Sequence, residues 1–162
     1  MSNLANLETP VILMAEDDPD DRLLMEEAVA EAGLCVAMRY VADGLELMDH
    51  LYRIKAGHAN GHESLPDLIL LDLNMPRMDG REVLERIKAG HDFQHIPVVV
   101  LTTTCSPEDR SSAQVLGAAD LLVKPASFEG LVALTRSLPE YWRRGTPPDT
   151  DSAGASRGGS KQ

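Results

Sequence analysis

Three features are scarce in this chain of 162 residues: cysteine, basic side chains and long apolar runs. Two cysteines, Cys35 and Cys105, are too few for a disulfide scaffold. Lys and Arg number 15 against 26 Asp and Glu, a formal net charge of −11, which argues against binding to the phosphate backbone of nucleic acids. No apolar run approaches the ~18 residues of a membrane helix. The acidic balance suits a protein that attracts cations.

Sequence signals for export and for nucleotide binding are also missing. The first residues, Met1 to Glu8, lack the charged-then-apolar plan of a signal peptide, so we expect a cytoplasmic protein. No phosphate-binding loop of the Gly-x-x-x-x-Gly-Lys-Ser/Thr type and no Gly-x-Gly-x-x-Gly fingerprint follows a predicted strand. The lack of both glycine-rich motifs argues against a nucleotide-binding enzyme.

The most informative stretch is LILLDLNMPRMDG, residues 68–80. Four aliphatic residues end at the carboxylate of Asp72, and Pro76 and Gly80 then turn the chain. An apolar run this short, closed by turn residues, predicts a strand buried on both faces. Asp72 is therefore expected at the carboxyl end of a central strand, which is where open α/β sheets bind ligands and carry chemistry.

Strands and helices alternate along the chain. We predict strands at 11–15, 36–41, 68–72, 96–101 and 120–123, and helices at 19–32, 44–56, 81–89, 107–117 and 128–138. The predicted helix N-caps include Asp18, Ser106 and Ser127. Right-handed crossovers between the strands imply one parallel sheet. The expected fold is α/β, a flavodoxin-like doubly wound (βα)5 arrangement with a five-stranded parallel sheet of order 2-1-3-4-5.

One domain is expected over residues 10–145. It is preceded by an extension at 1–9 and followed by a Pro-, Gly- and Ser-rich tail at 146–162 that is predicted to be disordered. Pro139 should break the last helix, and residues 140–144 should add a final turn. Two interpretations of Tyr141 and Trp142 stay open here: packing in the core, or contact with a second subunit.

Polar side chains follow four of the five predicted strands. In the order 2-1-3-4-5, strands one and three are neighbours, so Glu16, Asp17 and Asp72 should crowd one spot. Without a cation these carboxylates would repel one another. A hard divalent ion with oxygen ligands removes that repulsion, and Mg²⁺ fits better than Ca²⁺ because few carboxylates are offered.

Thr102 and Lys124 follow strands four and five and should reach the same edge. One hydroxyl donor and one cation complement the oxygens of a phosphoryl group bound to Asp72. The residues thus predict a carboxylate nucleophile that receives a phosphoryl group. Taken alone, a strand-end Asp is often only a cap or a turn former, and Asp18 and Asp79 are assigned to those roles.

From about Val11 to Leu138 the chain resembles the receiver domain of two-component response regulators. The resemblance is carried by the pair Glu16-Asp17, by Asp72 in the motif Asp-Leu-Asn-Met-Pro-x-Met-Asp-Gly, by Thr102 after an aliphatic strand, and by Lys124-Pro125. It implies that Asp72 is the phosphoacceptor, that Lys124 pairs with the phosphoryl group, and that Thr102 moves toward that group.

The resemblance also implies a metal site and a backbone feature. Asp17 and Asp72 would bind Mg²⁺ together with the backbone carbonyl of Asn74, and Glu16 would act through water. The peptide bond between Lys124 and Pro125 would be cis, a form tolerated mainly before proline.

One switch position departs from the usual receiver pattern. Receivers often place an aromatic residue three before the conserved Lys, and here that residue is Leu121. Thr102 and Leu121 are the expected switch residues, but the coupling in which an aromatic ring follows the Thr cannot be carried over.

A narrower resemblance concerns residues 66–74, residues 95–103 and the long loop before strand three. These are similar to single-domain regulators that pair with phytochrome-type histidine kinases. The implied partner is a sensor histidine kinase, with a bacteriophytochrome as one candidate, and the chain would be a switch and not a turnover enzyme. Output would come from protein contacts, including a homodimer through the face of helix four, strand five and helix five.

Four alternatives compete with that interpretation. The chain could act as a phosphate shuttle to a histidine phosphotransferase, or as a phosphate sink. An aspartyl-phosphate phosphatase would need a second Asp two residues after Asp72, where this chain has Asn74. A scaffold that ignores phosphate would not need all five site positions to be filled.

Overall fold

The sheet of the protein has five parallel strands in the order β2-β1-β3-β4-β5. The computed structural model describes residues 9–57, 64–73, 79–103 and 106–145. The strands are β1 (Val11–Ala15), β2 (Ala37–Val41), β3 (Leu68–Asp72), β4 (Val98–Thr102) and β5 (Asp120–Val123). The predicted flavodoxin-like topology is therefore confirmed.

Helices follow the strands and cover both faces of the sheet. They are α1 (Pro19–Ala32), α2 (Gly44–Lys55), α3 (Gly80–Ala89), α4 (Pro107–Val115), α5 (Phe128–Ser137) and α6 (Pro139–Gly145). Within the described ranges no helix is both long enough and apolar enough to cross a bilayer.

Side-chain caps determine where several helices begin. The Asp18 carboxylate accepts a hydrogen bond from the Asp20 N–H at 2.9 Å. Ser106 and Asp109 form a reciprocal capping box at the start of α4, and the Ser127 hydroxyl accepts from the Gly130 N–H at 3.0 Å. The three predicted N-caps are confirmed, because each satisfies a backbone donor that has no partner within its helix.

The core lies on both faces of the sheet, and every residue of β1, β3 and β4 is buried. Alternate residues of β3 divide between two clusters: Ile69 and Leu71 face α2 and α3, whereas Leu68 and Leu70 face α1 and the C-terminal helices. Continuous apolar runs are what a parallel sheet covered on both faces requires. This packing holds the carboxyl ends of the central strands side by side.

The C-terminal segment packs on the domain. Pro139 breaks the helix as predicted. The segment predicted to form a final turn forms the seven-residue helix α6. Tyr141 is 7% exposed, and its hydroxyl donates to Asp120 Oδ2 at 2.6 Å. Trp142 packs against the same apolar cluster. Core packing is thus shown for Tyr141, whereas contact of the partly buried Trp142 with a second subunit stays a prediction.

The prediction that the peptide bond between Lys124 and Pro125 is cis is wrong, because no peptide bond in the described ranges is cis. A proline reduces the preference for trans to about 0.5–1 kcal/mol but does not reverse it. The trans form therefore remains favoured unless tertiary contacts outweigh that difference. The predicted tail at 146–162 and residues 1–8 of the predicted extension lie outside the described residues.

Candidate functional site

The site lies at the carboxyl edge of the sheet. Strand pairing aligns Ala15 with Leu71 and Asp72 with Leu101, so the residues that follow β1 stand beside the end of β3. Thr102 pairs with Val123 in the next ladder. The register thus brings the ends of β1, β3, β4 and β5 to one edge, as the sequence predicted.

Three carboxylates meet at this edge. One oxygen from each of Glu16, Asp17 and Asp72 lies within 4.8 Å of the others. Glu16 is 1% exposed and Asp72 is 8% exposed, whereas Asp17 faces solvent. Burial raises the pKa of Glu16 above its usual value, although Lys124 and the Asp18 N–H oppose that effect. Clustered acidic oxygens are the donor set of a hard divalent cation.

Lys124 supplies a positive charge to two of these carboxylates, Glu16 and Asp72. Its Nζ lies 2.9 Å from Glu16 Oε1, 3.1 Å from Asp72 Oδ2 and 3.8 Å from Asp21 Oδ2. Burial lowers the pKa of Lys124, but the hydrogen bonds and charges of Glu16 and Asp72 outweigh it, and the pKa is raised. Lys124 therefore remains a cation directed at the carboxylate of Asp72.

Glu16 is occupied by contacts within the chain. Its Oε1 accepts from Lys124, and its Oε2 accepts from the Asp18 N–H at 3.1 Å. In this arrangement the side chain anchors Lys124 and the turn between β1 and α1. The water-mediated metal contact expected for Glu16 stays a prediction.

Thr102 is the last residue of β4 and is 2% exposed. Its main-chain carbonyl accepts from the Lys124 N–H at 2.8 Å. The backbones of these two predicted site residues are thus joined across the β4–β5 ladder.

Gly80 allows α3 to begin against the end of β3. A Cβ at this position would lie 2.8 Å from the Asp72 carbonyl oxygen and 2.8 Å from the Leu73 Cα, closer than real Cβ atoms approach backbone. Asp79 caps the helix by accepting from the Arg81 N–H at 2.7 Å, as its predicted turn role requires. Asn74 lies outside the described residues, so its predicted metal contact stays a prediction.

Leu121 lies on β5 and is 3% exposed in the core. A cavity of about 100 Å³ adjoins it between α4 and β5, with Arg110 and Ala113 also in its wall. The Arg110 guanidinium donates to the Leu121 carbonyl at 3.4 Å. Leu121 is therefore not part of the acidic cluster, and its predicted switch role is a matter for experiment.

Sequence reasoning missed two residues of α1 that reach the site. One is Asp21, whose carboxylate lies 3.8 Å from the Lys124 ammonium. The other is Arg22, whose Nε donates to the Glu16 carbonyl at 2.7 Å. Their place in the first turn of a helix that starts at the carboxyl edge was the available signal, since such residues project toward that edge.

The family model of the response regulator receiver domain matches residues 12–136. The chain belongs to the response regulator receiver family. Proteins of this family accept phosphoryl groups on an aspartate, bind a divalent metal ion and receive the phosphoryl group from a kinase.

Individual relatives narrow that description. The receiver is 38% identical over 132 residues to the probable methanogenesis regulatory protein FilR2 of Methanothrix harundinacea, covering 82% of this chain and 83% of that one. It is 35% identical over 132 residues to the response regulator Rcp1 of Synechocystis, covering 82% and 88%.

Two solved structures have the same fold. The phosphorylated cyanobacterial phytochrome response regulator RcpA superposes with a TM-score of 0.74 at 33% identity, covering 88% of this chain and all of that one. The Mn²⁺-bound form of Rcp1 superposes with a TM-score of 0.70 at 34% identity, covering 82% and 94%. The receiver is thus a two-component signalling protein with phytochrome-associated homologues.

Proposed function

We propose that this receiver accepts a phosphoryl group on Asp72 from the phosphohistidine of a sensor histidine kinase, in a Mg²⁺-dependent reaction. The observation that carries the proposal is the position of Asp72: its carboxylate ends β3, lies in the acidic cluster and is 3.1 Å from the Lys124 ammonium. No other described carboxylate combines the end of a central strand with both features.

The chemistry follows from these groups. An oxygen of Asp72 attacks phosphorus, the new O–P bond forms as the P–N bond of phosphohistidine breaks, and the electron pair of that bond stays with the imidazole nitrogen. Lys124 lies beside the attacked carboxylate and can meet the negative oxygens of the transferred group. Thr102 ends the neighbouring strand and offers a hydroxyl donor to the same group.

We assign the divalent ion as Mg²⁺. Asp17 and Asp72 would hold it, with the backbone of Asn74, and Glu16 through water. Few protein oxygens are available, which suits an ion that keeps several waters and shares phosphate oxygens. When bound, the ion neutralises charge that a single lysine cannot balance among three carboxylates.

The output is a change of surface and not catalytic turnover. The acyl phosphate would bias two states of the face formed by α4, β5 and α5, through Thr102 and Leu121. That face is also the proposed homodimer surface. Onward transfer to a histidine phosphotransferase is the alternative output, and phosphotransfer to such a protein in vitro would reveal it.

We further propose that the phosphodonor is a phytochrome-type histidine kinase. The likeness to Rcp1 and RcpA supports this assignment. The receiver would then act in the cytoplasm, where such a kinase presents its phosphohistidine. Phosphotransfer rates from a panel of kinases test the assignment, which requires a bacteriophytochrome kinase to be the fastest donor.

A direct experiment tests the phosphoacceptor itself. The receiver is incubated with acetyl phosphate and Mg²⁺, and the intact protein is weighed. We expect an added mass of about 80 Da, one PO₃H group, that is absent after chelation of the metal and absent in Asp72→Asn. An adduct that persists in Asp72→Asn would disprove the assignment.

A further inference from the structure

The turn between β1 and α1, residues 16–18, is held on both sides of Glu16. The Glu16 N–H donates to the Val41 carbonyl of β2 at 2.9 Å. The Glu16 carbonyl accepts from Arg22 Nε at 2.7 Å. That carbonyl and the Asp17 N–H belong to one planar peptide unit, so the Arg22 hydrogen bond fixes the plane from which the Asp17 side chain starts.

Arg22 is itself held in place by β2. Its guanidinium carbon lies 5.7 Å from the centre of the Tyr40 ring, within the range of a cation–π contact. The Tyr40 hydroxyl donates to the Arg22 carbonyl at 3.4 Å. Burial, and then the charge and a side-chain hydrogen bond of Glu26, raise the pKa of Tyr40, so the phenol stays protonated beside Arg22. The guanidinium is therefore positioned by the sheet and not only by its own helix.

This arrangement bears on the proposed metal site because Asp17 is its exposed carboxylate. An exposed side chain on a mobile turn would lose conformational freedom when it binds an ion, and that loss weakens binding. A turn already fixed by a charge-assisted hydrogen bond avoids part of the loss. Arg22 also brings a positive charge near the site, which by itself opposes cation binding, so geometry and charge act in opposite directions.

We infer that Arg22 is a positioning residue for divalent cation binding: its Nε, supported by Tyr40, holds the Glu16–Asp17 peptide so that Asp17 is ready to bind. The inference rests on the proposed function, since it requires Asp17 to be a metal ligand. It assigns no contact between Arg22 and the ion.

Two neutral substitutions separate geometry from charge. The side-chain amide nitrogen of glutamine follows Cδ, as Nε does in arginine, so Arg22→Gln can still donate to the Glu16 carbonyl, whereas Arg22→Met cannot. Both lose the same positive charge. Calorimetric titration with Mn²⁺ alone should show Arg22→Met binding about tenfold more weakly than Arg22→Gln, the lower end of the range for groups that orient metal ligands. Metal-free melting curves should show that both variants are folded at the temperature of the titration.

Equal Mn²⁺ dissociation constants for the two variants would overturn the inference. If Arg22→Met does not fold, Tyr40→Leu against Tyr40→Phe replaces the pair, because only phenylalanine keeps a ring beneath the guanidinium, and the leucine variant should bind more weakly. Arg53→Met, on the exposed side of α2, should bind as the wild type does. Failure of the proposed site is distinguishable, since the wild type would then bind no Mn²⁺ or Asp17→Asn would bind it equally well.

Discussion

Carboxylates at the two edges of the sheet have different kinds of partner. At the amino edge two carboxylates at strand starts accept hydrogen bonds from neutral donors: Asp120 accepts from the Leu121 N–H at 2.8 Å and from the Tyr141 hydroxyl at 2.6 Å, and Asp67 accepts from the Val11 N–H at 2.8 Å. At the carboxyl edge Glu16, Asp17 and Asp72 lie close together, and one ammonium group, that of Lys124, contacts both Glu16 and Asp72.

The difference separates a structural use of carboxylates from a chemical one. Neutral donors at the amino edge satisfy the charge and fasten α6 to the start of β5, so nothing further is needed there. At the carboxyl edge three negative groups and Lys124 leave a net negative charge. That excess favours a cation, and the cation in turn favours an incoming phosphoryl group.

The largest predicted effect is on phosphorylation, which should depend on a carboxylate at the carboxyl edge and not on one at the amino edge. Asp72→Asn should lose all phosphorylation by acetyl phosphate, because an amide oxygen is a poor nucleophile and carries no charge for the metal. Asp120→Asn, the matched change at the amino edge, should be phosphorylated at a rate close to that of the wild type. Intact-mass measurements over time compare the two, and an inert Asp120→Asn protein that is still folded would break the distinction.

Lys124→Met should be the most destabilising change at the carboxyl edge. It leaves the buried Glu16 carboxylate without its cation. Loss of one partner from a buried ion pair costs about 3–5 kcal/mol, and we expect about 2 kcal/mol here because the Lys124 side chain is 19% exposed. Urea unfolding without metal measures the loss. Mg²⁺ should stabilise the variant more than the wild type, because the variant has one positive charge fewer beside the carboxylates. An equal response would argue against an excess of negative charge at this edge.

The pH dependence of that loss is also predicted. Burial raises the pKa of Glu16, so its protonated form favours the folded state, and stability falls as the pH rises through the raised folded value. Without Lys124 this effect grows. The gap in free energy of unfolding between Lys124→Met and the wild type should therefore narrow from pH 7 to pH 5. A gap that stays constant would mean that the stability lost in Lys124→Met does not come from an unpaired Glu16 carboxylate.

Tyr141→Phe tests the amino edge. It removes the hydroxyl that donates to Asp120 and should cost about 1.5 kcal/mol, the lower range for a hydrogen bond to a charged group. Mn²⁺ affinity and phosphorylation should be unchanged, because the contact lies at the other end of the strands. Urea unfolding and metal titration of the same sample give both values, and a parallel loss of metal binding would show that the edges are coupled.

Leu121→Phe should have the smallest effect, on the strand that joins the two edges. The cavity of about 100 Å³ beside Leu121 can take part of the ring, so the free energy of unfolding should change by less than about 1.5 kcal/mol. If Leu121 transmits the switch, the variant should change how phosphorylation alters the α4–β5–α5 face. Amide exchange on α4 before and after phosphorylation reports this, and identical exchange in both proteins would remove Leu121 from the switch.

Much of the fold could be predicted because its signals are local. Alternation of apolar runs with helix caps placed all five strands and the helices that follow them, and the capping box of α4 and the Asp caps were visible as short spacings. Asp72 could be found because a carboxylate after four aliphatic residues has no role inside a strand. The cis bond before Pro125 was mispredicted, since an isomer near energetic balance depends on contacts that a short motif does not contain.

The contacts that were missed join distant parts of the chain. Lys124 and Glu16 are 108 residues apart, and Tyr141 and Asp120 are 21 apart. Arg22 on α1 contacts Glu16 over six residues, but the cation–π contact that positions its guanidinium comes from Tyr40 on β2. Such partners cannot be read from spacing, because the distance between two side chains depends on how helices pack against the sheet.

By itself the sequence determined the alternation of strands and helices, the strand ends at which the chemistry lies and the residue types available there, because apolar periodicity and turn residues act over a few positions. Only the tertiary structure decided which carboxylates Lys124 pairs with, that Glu16 anchors the β1–α1 turn, and that α6 packs against β5. Charge and hydrogen-bond energies fall steeply with distance and depend on burial, and both quantities exist only once the sheet and helices have packed.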